Sequence, residues 1–194
     1  MEKFNKIAGA SALFGLSALM MSLSAGAATT ASTEFSATIA FEGACDISAP
    51  PTVVFNNGND VLPSEIESGA GTAEKTFEIT LANCTGVNVT PKITIAGESN
   101  ITTGETLFLD TAASDAAGYG ILLSTTGNTN FQDNANLAAE KRISVIEDWD
   151  LETNLTALNG TIPMIAKISC GDCTAEGRLG GTLKSNVTFE FAYD

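Results

Sequence analysis

The chain has 194 residues, no histidine and a formal net charge of −14. A strongly acidic protein repels nucleic acid and anionic membrane surfaces. The absence of histidine removes the commonest general base and a frequent zinc ligand. These features argue against a nucleic-acid-binding protein and against most catalytic centres, and we expect neither a cofactor nor a metal site.

Residues 1–28 have the order of a secretory signal peptide. A short charged start precedes an apolar run from Ile7 to Leu23, and small residues follow. Cleavage is expected after Ala27 or Ala28. An uncleaved membrane anchor is the alternative, but the run is short, diluted by Ser and Gly, and lacks a basic stop signal. The mature chain is then about 166 residues long, enough for one domain with its own core.

Short stretches with apolar residues at every second position alternate with turn residues along the mature chain. This pattern predicts β-strands. Strands are predicted over residues 35–41, 52–55, 76–84, 91–97, 105–110, 119–128, 161–170 and 186–194. Residues 137–141 are good helix formers and predict a short helical turn, while 142–146 read alternatively as a further strand. The spacing of the strands predicts a single all-β sandwich domain.

The four cysteines of an exported chain predict two disulfides, for which three connectivities exist. We favour Cys45–Cys84 together with Cys170–Cys173, because the second pair is too close in sequence to ignore. Cys45 would follow the first predicted strand, and Cys84 would end the strand over 76–84. A bond between them would tie two strands and stabilise the fold by about 3–4 kcal/mol in the loop-entropy picture.

The motif "CGDC" from Cys170 to Cys173 also fits other chemistry. A C-x-x-C pair serves as a redox site in a βα frame, which this chain does not predict. As half of a zinc site it lacks a second pair and any histidine. A small disulfide-closed turn after the strand over 161–170 is the favoured interpretation, and a thiol–disulfide enzyme is the third functional hypothesis.

The motif "IEDWD" surrounds the only tryptophan with acidic residues: Glu147, Asp148 and Asp150 flank Trp149. Paired carboxylates suggest glycosidase chemistry, and an aromatic ring beside acids is one way to begin a sugar-binding patch. A solvated loop on an acidic protein is the favoured interpretation. A single-domain carbohydrate-binding module is the second functional hypothesis.

The last segment, "NVTFEFAYD", places four large side chains on one face: Val187, Phe189, Phe191 and Tyr193. Because the sequence ends here, we expect no later strand of this chain to pair with its other side. An ordinary edge strand of a complete sandwich and an edge that awaits a strand from another chain therefore both fit the pattern.

Together these features resemble the subunits of chaperone–usher pili, the type 1 pilin family. The resemblance rests on the signal peptide, a cysteine pair about 40 residues apart, strands like "GYGILL" and "TIPMIAKI", and Tyr193 in the penultimate position. Gly181, fourteenth from the end, matches a family glycine. The "CGDC" motif departs from the family pattern.

The resemblance implies an incomplete immunoglobulin-like sandwich that lacks its last strand and is completed by a donor strand. The pilin domain would span residues 42–194, and residues 29–41 would be the donor extension. The implied donor side chains are Phe35, Ala37, Ile39 and Phe41. The implied edge for the chaperone or the donor comprises Gly181, Val187, Phe189, Phe191 and Tyr193.

The function implied by the resemblance is a structural, non-enzymatic subunit that polymerises by donor-strand exchange and contributes to cell adhesion. Its implied partners are a periplasmic chaperone, an outer-membrane usher, neighbouring subunits and a host receptor. The chain would travel through the periplasm to a fimbrium on the cell surface. A carbohydrate-binding module or minor tip adhesin remains the alternative.

Overall fold

The computed structural model describes residues 33–38 and 42–194. Residues 33–38 belong to a separate unit, have no regular secondary structure and are all exposed. The predicted signal peptide and the donor candidates Ile39 and Phe41 lie outside the described residues. No helix in the described ranges has the length and apolar character needed to cross a membrane.

Residues 42–194 form nine strands, two α-helices and three 3-10 turns. The strands are β1 (Gly43–Ser48), β2 (Glu74–Gly86), β3 (Pro91–Ala96), β4 (Ser99–Thr102), β5 (Glu105–Phe108), β6 (Gly120–Thr125), β7 (Arg142–Ser144), β8 (Gly160–Ser169) and β9 (Thr188–Tyr193). The helices are α1 (Pro63–Ser68) and α2 (Leu137–Glu140), and the 3-10 turns are Phe55–Gly58, Gly71–Ala73 and Leu155–Leu158.

The strands form two antiparallel sheets, one with the order β1-β2-β8-β6-β5-β4 and one with the order β7-β3-β9. The two sheets make an immunoglobulin-like sandwich, which confirms the predicted all-β fold class. Its main core fills the space between the sheets, because the strands turn every second side chain inward. Ile79 and Leu81 of β2 face Ile93 of β3 in this core, and all three are essentially inaccessible to solvent.

A smaller cluster lies apart from the main core, and we call it the satellite core. Its buried members are Ala73, Tyr119, Ile168 and Cys170. Partly buried side chains pack around them: Phe55, Val61, Ile66, Ile121, Cys173 and Leu183. The satellite core therefore joins segments that are far apart in sequence, including the one that leads into β9.

Both cysteine pairs are bonded, Cys45 to Cys84 and Cys170 to Cys173. The first bond joins neighbouring strands β1 and β2, and the second closes a short turn directly after β8. The expectation that Cys45 follows the first strand is wrong. Cys45 lies inside β1, because that strand begins at Gly43 and not at Phe35.

Two predicted strands differ from the local structure. Residues 35–38, the described part of the strand predicted over 35–41, have no regular secondary structure. Residues 52–54 are not a strand, and the chain turns at Phe55–Gly58, where Asn56 and Asn57 adopt left-handed backbone angles. Asn adopts the left-handed backbone region more readily than most other residues that carry a side chain. The sequence "NNG" therefore forms a tight turn here. Near residue 140 both alternatives hold, since α2 is followed at once by β7.

One side of the sandwich is closed by the segment around Phe131, whose side chain is buried. The N–H of Gln132 donates to the carbonyl of Ser144 at 2.9 Å and so covers the outer edge of β7. Two residues later, Asn134 exchanges both backbone hydrogen bonds with Thr125 of β6. This crossing segment ties the two sheets together on the side opposite β9.

Candidate functional site: the open edge of the last strand

Within residues 42–194, β9 is paired with β3 alone. Asp194 and Thr90 exchange both of their backbone hydrogen bonds, at 3.0 and 3.1 Å. Hydrogen-bonded pairs recur at every second residue of an antiparallel ladder. The register therefore directs the backbone N–H and C=O groups of Ala192, Glu190 and Thr188 toward β3. The backbone groups of Phe189, Phe191 and Tyr193 point the other way, to the unpaired edge.

The residues whose backbone groups point to the unpaired edge also carry large apolar side chains. Phe189 and Phe191 are only half-buried, although they pack against the main core. The ring of Phe189 lies 6.5 Å from the ring of Phe77 on the opposite sheet, measured between centroids. Tyr193 is 39% exposed. Among the strands of residues 42–194, an unpaired edge thus runs alongside an incompletely covered strip of core.

The same arrangement continues before β9. Thr182 and Lys184 are held by one loop: the N–H of Asp115 donates to the Thr182 carbonyl at 3.0 Å, and the N–H of Asp110 donates to the Lys184 carbonyl at 2.9 Å. The Lys184 N–H in turn donates to Ser114 Oγ at 2.9 Å. Exposure alternates along residues 182–187, as in extended backbone. The backbone groups of the intervening residues consequently face the unpaired side.

We call the whole strip the open edge and define it by its six outward residues: Leu183, Ser185, Val187, Phe189, Phe191 and Tyr193. It is longer than β9 itself and apolar along most of its length. Its exception is Ser185, whose buried Oγ has no hydrogen-bond partner in the described residues. A buried hydroxyl without a partner costs free energy, so this position favours an incoming polar group.

Strand β1 forms the opposite wall at one end of the open edge. A Cβ at Gly43 would lie 2.7 Å from Leu155 Cδ1 and 3.5 Å from Tyr193 Cδ1. Only glycine lets β1 approach this closely, because a methyl group at the position would overlap Leu155. The gap beside β9 is therefore narrow at Tyr193.

Gly181 lies outside β9 and is exposed. A Cβ at this position would meet Asp115 Oδ1 at 2.7 Å and the backbone nitrogen of Ala116 at 2.9 Å. The structure thus places Gly181 where the chain enters the open edge and presses against the 110–116 loop. A side chain at this position would clash with the 110–116 loop, which explains the glycine. Gly181 is not one of the six outward residues.

Trp149, at the centre of the acidic motif, is held in place by a hydrogen bond and by packing. The indole N–H of Trp149 donates to the Val89 carbonyl at 3.1 Å, and the ring packs against the main core. Beside it lies a cleft of about 440 Å³. Lys92, Arg142, Glu147 and Asp194 line the cleft with charged groups, and Lys92 pairs with Asp194.

The "CGDC" disulfide is poorly suited to redox exchange. Cys170 is fully buried in the satellite core, and Cys173 is half-buried. Thiol–disulfide exchange requires an accessible sulfur next to a group that stabilises the thiolate. The burial of Cys170 therefore supports a structural disulfide.

The family model described as "Fimbrial protein" matches residues 33–194. The chain belongs to the fimbrial protein family. A fimbrial protein is a structural component of a surface pilus and not an enzyme, so the thiol–disulfide enzyme hypothesis is set aside. The match covers all described strands and residues 33–38 as well.

Solved structures similar to this fimbrial protein include the P pilus rod subunit PapA. The likeness has a TM-score of 0.43 and 17% sequence identity, and it covers 84% of this chain and 100% of the PapA chain. No curated protein sequence matches the chain.

Sequence reasoning missed two residues of the open edge, Leu183 and Ser185. Their alternation with Thr182 and Lys184 is present in the sequence, but "GTLKSN" is polar and short of β-formers. This segment is extended because the loop 110–116, distant in sequence, forms hydrogen bonds with it. Spacing within one segment does not reveal such a partner.

Proposed function

We propose that this fimbrial subunit polymerises by donor-strand exchange, with its open edge as the acceptor. The observation that carries the proposal is the coincidence of two features on the same residues. Phe189 and Phe191 direct backbone groups that are unpaired within residues 42–194 to one side, while their side chains line an incompletely covered strip of core. A β-strand added there would satisfy the backbone and cover the apolar surface in one step.

The donor in this proposal is the segment 29–41 of a second subunit. Phe35, Ala37, Ile39 and Phe41 alternate along it and would enter the groove, while the residues between them would face solvent. Phe35 is 91% exposed and its neighbours in 33–38 have no regular structure. The exposure of Phe35 supports this role, because a donor side chain that has not entered a groove has no apolar surface to pack against.

The same geometry supports a periplasmic chaperone as an earlier partner. A long unpaired edge beside partly exposed aromatic side chains is an aggregation hazard in a secreted protein. A chaperone that lends a strand would protect the open edge until an outer-membrane usher brings the next subunit. Export through the periplasm, assembly at the usher and a contribution to adhesion complete the proposal.

The polymer is tested by a gel of surface material from cells that express the full operon. Samples are loaded in SDS with and without boiling. A ladder of multimers that collapses to a monomer only on heating is expected, because each strand exchange buries a hydrogen-bonded edge. A monomer in both lanes, from protein that is folded at the surface, contradicts strand exchange.

The acceptor is tested on a fused chain, in which residues 29–41 are appended after Asp194 through a flexible linker. The linker lets the donor lie back beside β9 and raises its effective concentration. The fused chain is expected to melt at a higher temperature than the unfused mature chain. The matched control carries the same linker and a scrambled donor of equal composition. Equal melting temperatures for all three proteins would refute the incomplete fold.

Carbohydrate binding is a second candidate, favoured by the cleft beside Trp149. The cleft combines an aromatic ring fixed by its hydrogen bond to Val89 with charged side chains, including Arg142 on β7. Ligand sites commonly join apolar lining to a few convergent polar groups. In this candidate function, the subunit contributes to adhesion through its own surface.

Glycan binding by the fused chain tests this candidate. Arg142→Ala and Trp149→Ala should each abolish binding, and Arg142→Ala does so without removing the ring from the core. Lys184→Ala, an exposed cation outside the cleft, is the matched control. If no glycan binds the parent protein, the candidate is withdrawn.

A further inference from the structure

The satellite core contains both the "CGDC" disulfide and the beginning of the open edge. Cys170 is fully buried there, and Cys173 and Leu183 pack around the same cluster. Leu183 is the first of the six outward residues. The chain between Cys173 and Leu183 thus starts and ends on one small apolar cluster.

The disulfide turn is fastened to the hairpin between β4 and β5. The N–H of Asp172 donates to the Thr103 carbonyl at 3.1 Å, and the Thr103 hydroxyl donates to the Cys170 carbonyl. Gly171 has a φ of +57°, and a Cβ there would collide with the carbonyl oxygen of Thr102. The turn is therefore held in one place by its bond, its hydrogen bonds and its glycine.

The chain after the turn is also held against the satellite core. Leu179 exchanges backbone hydrogen bonds with Ala117, each at 3.0 Å. Arg178 donates to Glu67 of α1 at 2.6 Å, and its guanidinium lies 6.0 Å from the centre of the Tyr119 ring. These contacts fix the position of residues 178 and 179, and so restrict where the chain can lie as it approaches Leu183.

We propose that the Cys170–Cys173 disulfide is a positioning element of the acceptor: it anchors the satellite core on which Leu183 packs and thereby sets the length of edge open to a donor strand. The proposal rests on the proposed donor-strand function. With the disulfide, the open edge runs from Leu183 to Tyr193. Without it, the part from Leu183 to Val187 is expected to loosen, while Phe189 to Tyr193 keeps its ladder with β3.

Amide hydrogen exchange on the fused chain tests the proposal. In the parent, the outward amides of both halves of the open edge should be protected by the donor. In the double variant Cys170→Ala/Cys173→Ala, exchange at Leu183, Ser185 and Val187 should accelerate at least about tenfold, because local opening is no longer opposed by the satellite core. Exchange at Phe189, Phe191 and Tyr193 should remain unchanged.

Two further variants keep the outcome decisive. Cys45→Ala/Cys84→Ala removes a disulfide of the β1–β2 pair and should not produce an acceleration confined to Leu183–Val187. Leu183→Ala keeps both disulfides but removes the contact with the satellite core, and it should reproduce the local acceleration. If the first double variant does not fold, unchanged exchange in Leu183→Ala overturns the proposal, because the satellite core would then not hold this segment.

Three outcomes separate the proposals. Local acceleration in the first half of the open edge supports the positioning element. Equal exchange rates in the parent and in Cys170→Ala/Cys173→Ala, or uniform acceleration of both halves in that variant, overturns it. If the donor protects neither half in the parent, the proposed donor-strand function itself fails.

Discussion

The rings of Phe77 and Phe189 face each other across the sandwich with their centroids 6.5 Å apart and their planes inclined by 55°. Phe77 belongs to β2 of the large sheet and Phe189 to β9 at the unpaired edge of the small one. Both rings are only half-buried. The pair therefore joins the large sheet to the strand at the unpaired edge of the small sheet, as described for residues 42–194.

Phe189→Ala should lower the free energy of unfolding of the fused chain by about 2 kcal/mol, less than for a fully buried ring. A double-mutant cycle with Phe77→Ala should give a coupling of about 0.5–1.5 kcal/mol, as for other aromatic pairs. Denaturant unfolding measures both values. Glu190→Ala, next along β9 but exposed, is the control and should change little. Additive single effects would show that the rings do not stabilise each other.

Gly43→Ala should destabilise the fused chain by about 1–3 kcal/mol, because overpacking a tight contact forces side chains or backbone to move. The added methyl would lie 2.7 Å from Leu155 Cδ1. Gly71→Ala is the matched control, since a Cβ there meets nothing within 4 Å. Thermal unfolding compares the two variants. A Gly43→Ala protein as stable as the control would mean that β1 can move away from β9.

Replacement of Cys45 and Cys84 by Ala should lower the free energy of unfolding by about 3–4 kcal/mol in the loop-entropy picture. The bond closes a segment of sequence separation 39 between two strands that are already paired. Denaturant unfolding of the fused chain measures the loss. A change below about 1 kcal/mol would indicate that the β1–β2 ladder persists in the unfolded chain.

Thr174→Ala should reduce stability more at neutral pH than at about pH 2. A hydrogen bond from the Thr174 hydroxyl is the largest cause of the lowered pKa of Asp172, which lies below its ordinary value of 3.8. A depressed folded-state pKa stabilises the fold above about 3.8, and this stabilisation is lost as the pH falls through the folded pKa.

Urea unfolding of the parent and of Thr174→Ala at the two pH values measures this difference. Thr188→Ala, an exposed threonine on β9, serves as the control and should cost the same at both. An equal cost of Thr174→Ala at neutral and acidic pH would separate the hydroxyl from the titration of Asp172.

The sequence by itself determined the strands whose alternation is strong. The period of two over 76–84 and 161–170 corresponds to β2 and β8, and the apolar face of the last segment corresponds to β9. The favoured cysteine pairing is present as well. The strands show in local alternation, and the four cysteines allow only three pairings, so the amino-acid sequence is enough to predict both.

Helix α1 escaped prediction although Pro63 stands in its first turn and Gly69 ends it in a left-handed conformation. Its six residues are too few for a clear helical period. Strand β4 was also missed, since "SNIT" holds one apolar residue, Ile101, which is 78% exposed. Short elements with little burial carry weak patterns, and their neighbours in space decide them.

Only the tertiary structure decided which edge is open and how far it runs. The segment around Phe131 closes the sandwich beside β7, while within residues 42–194 β9 keeps one partner. The loop 110–116 and the satellite core extend the edge back to Leu183. Alternation marks which side chains turn inward, but backbone hydrogen bonding depends on strands brought together from distant parts of the chain.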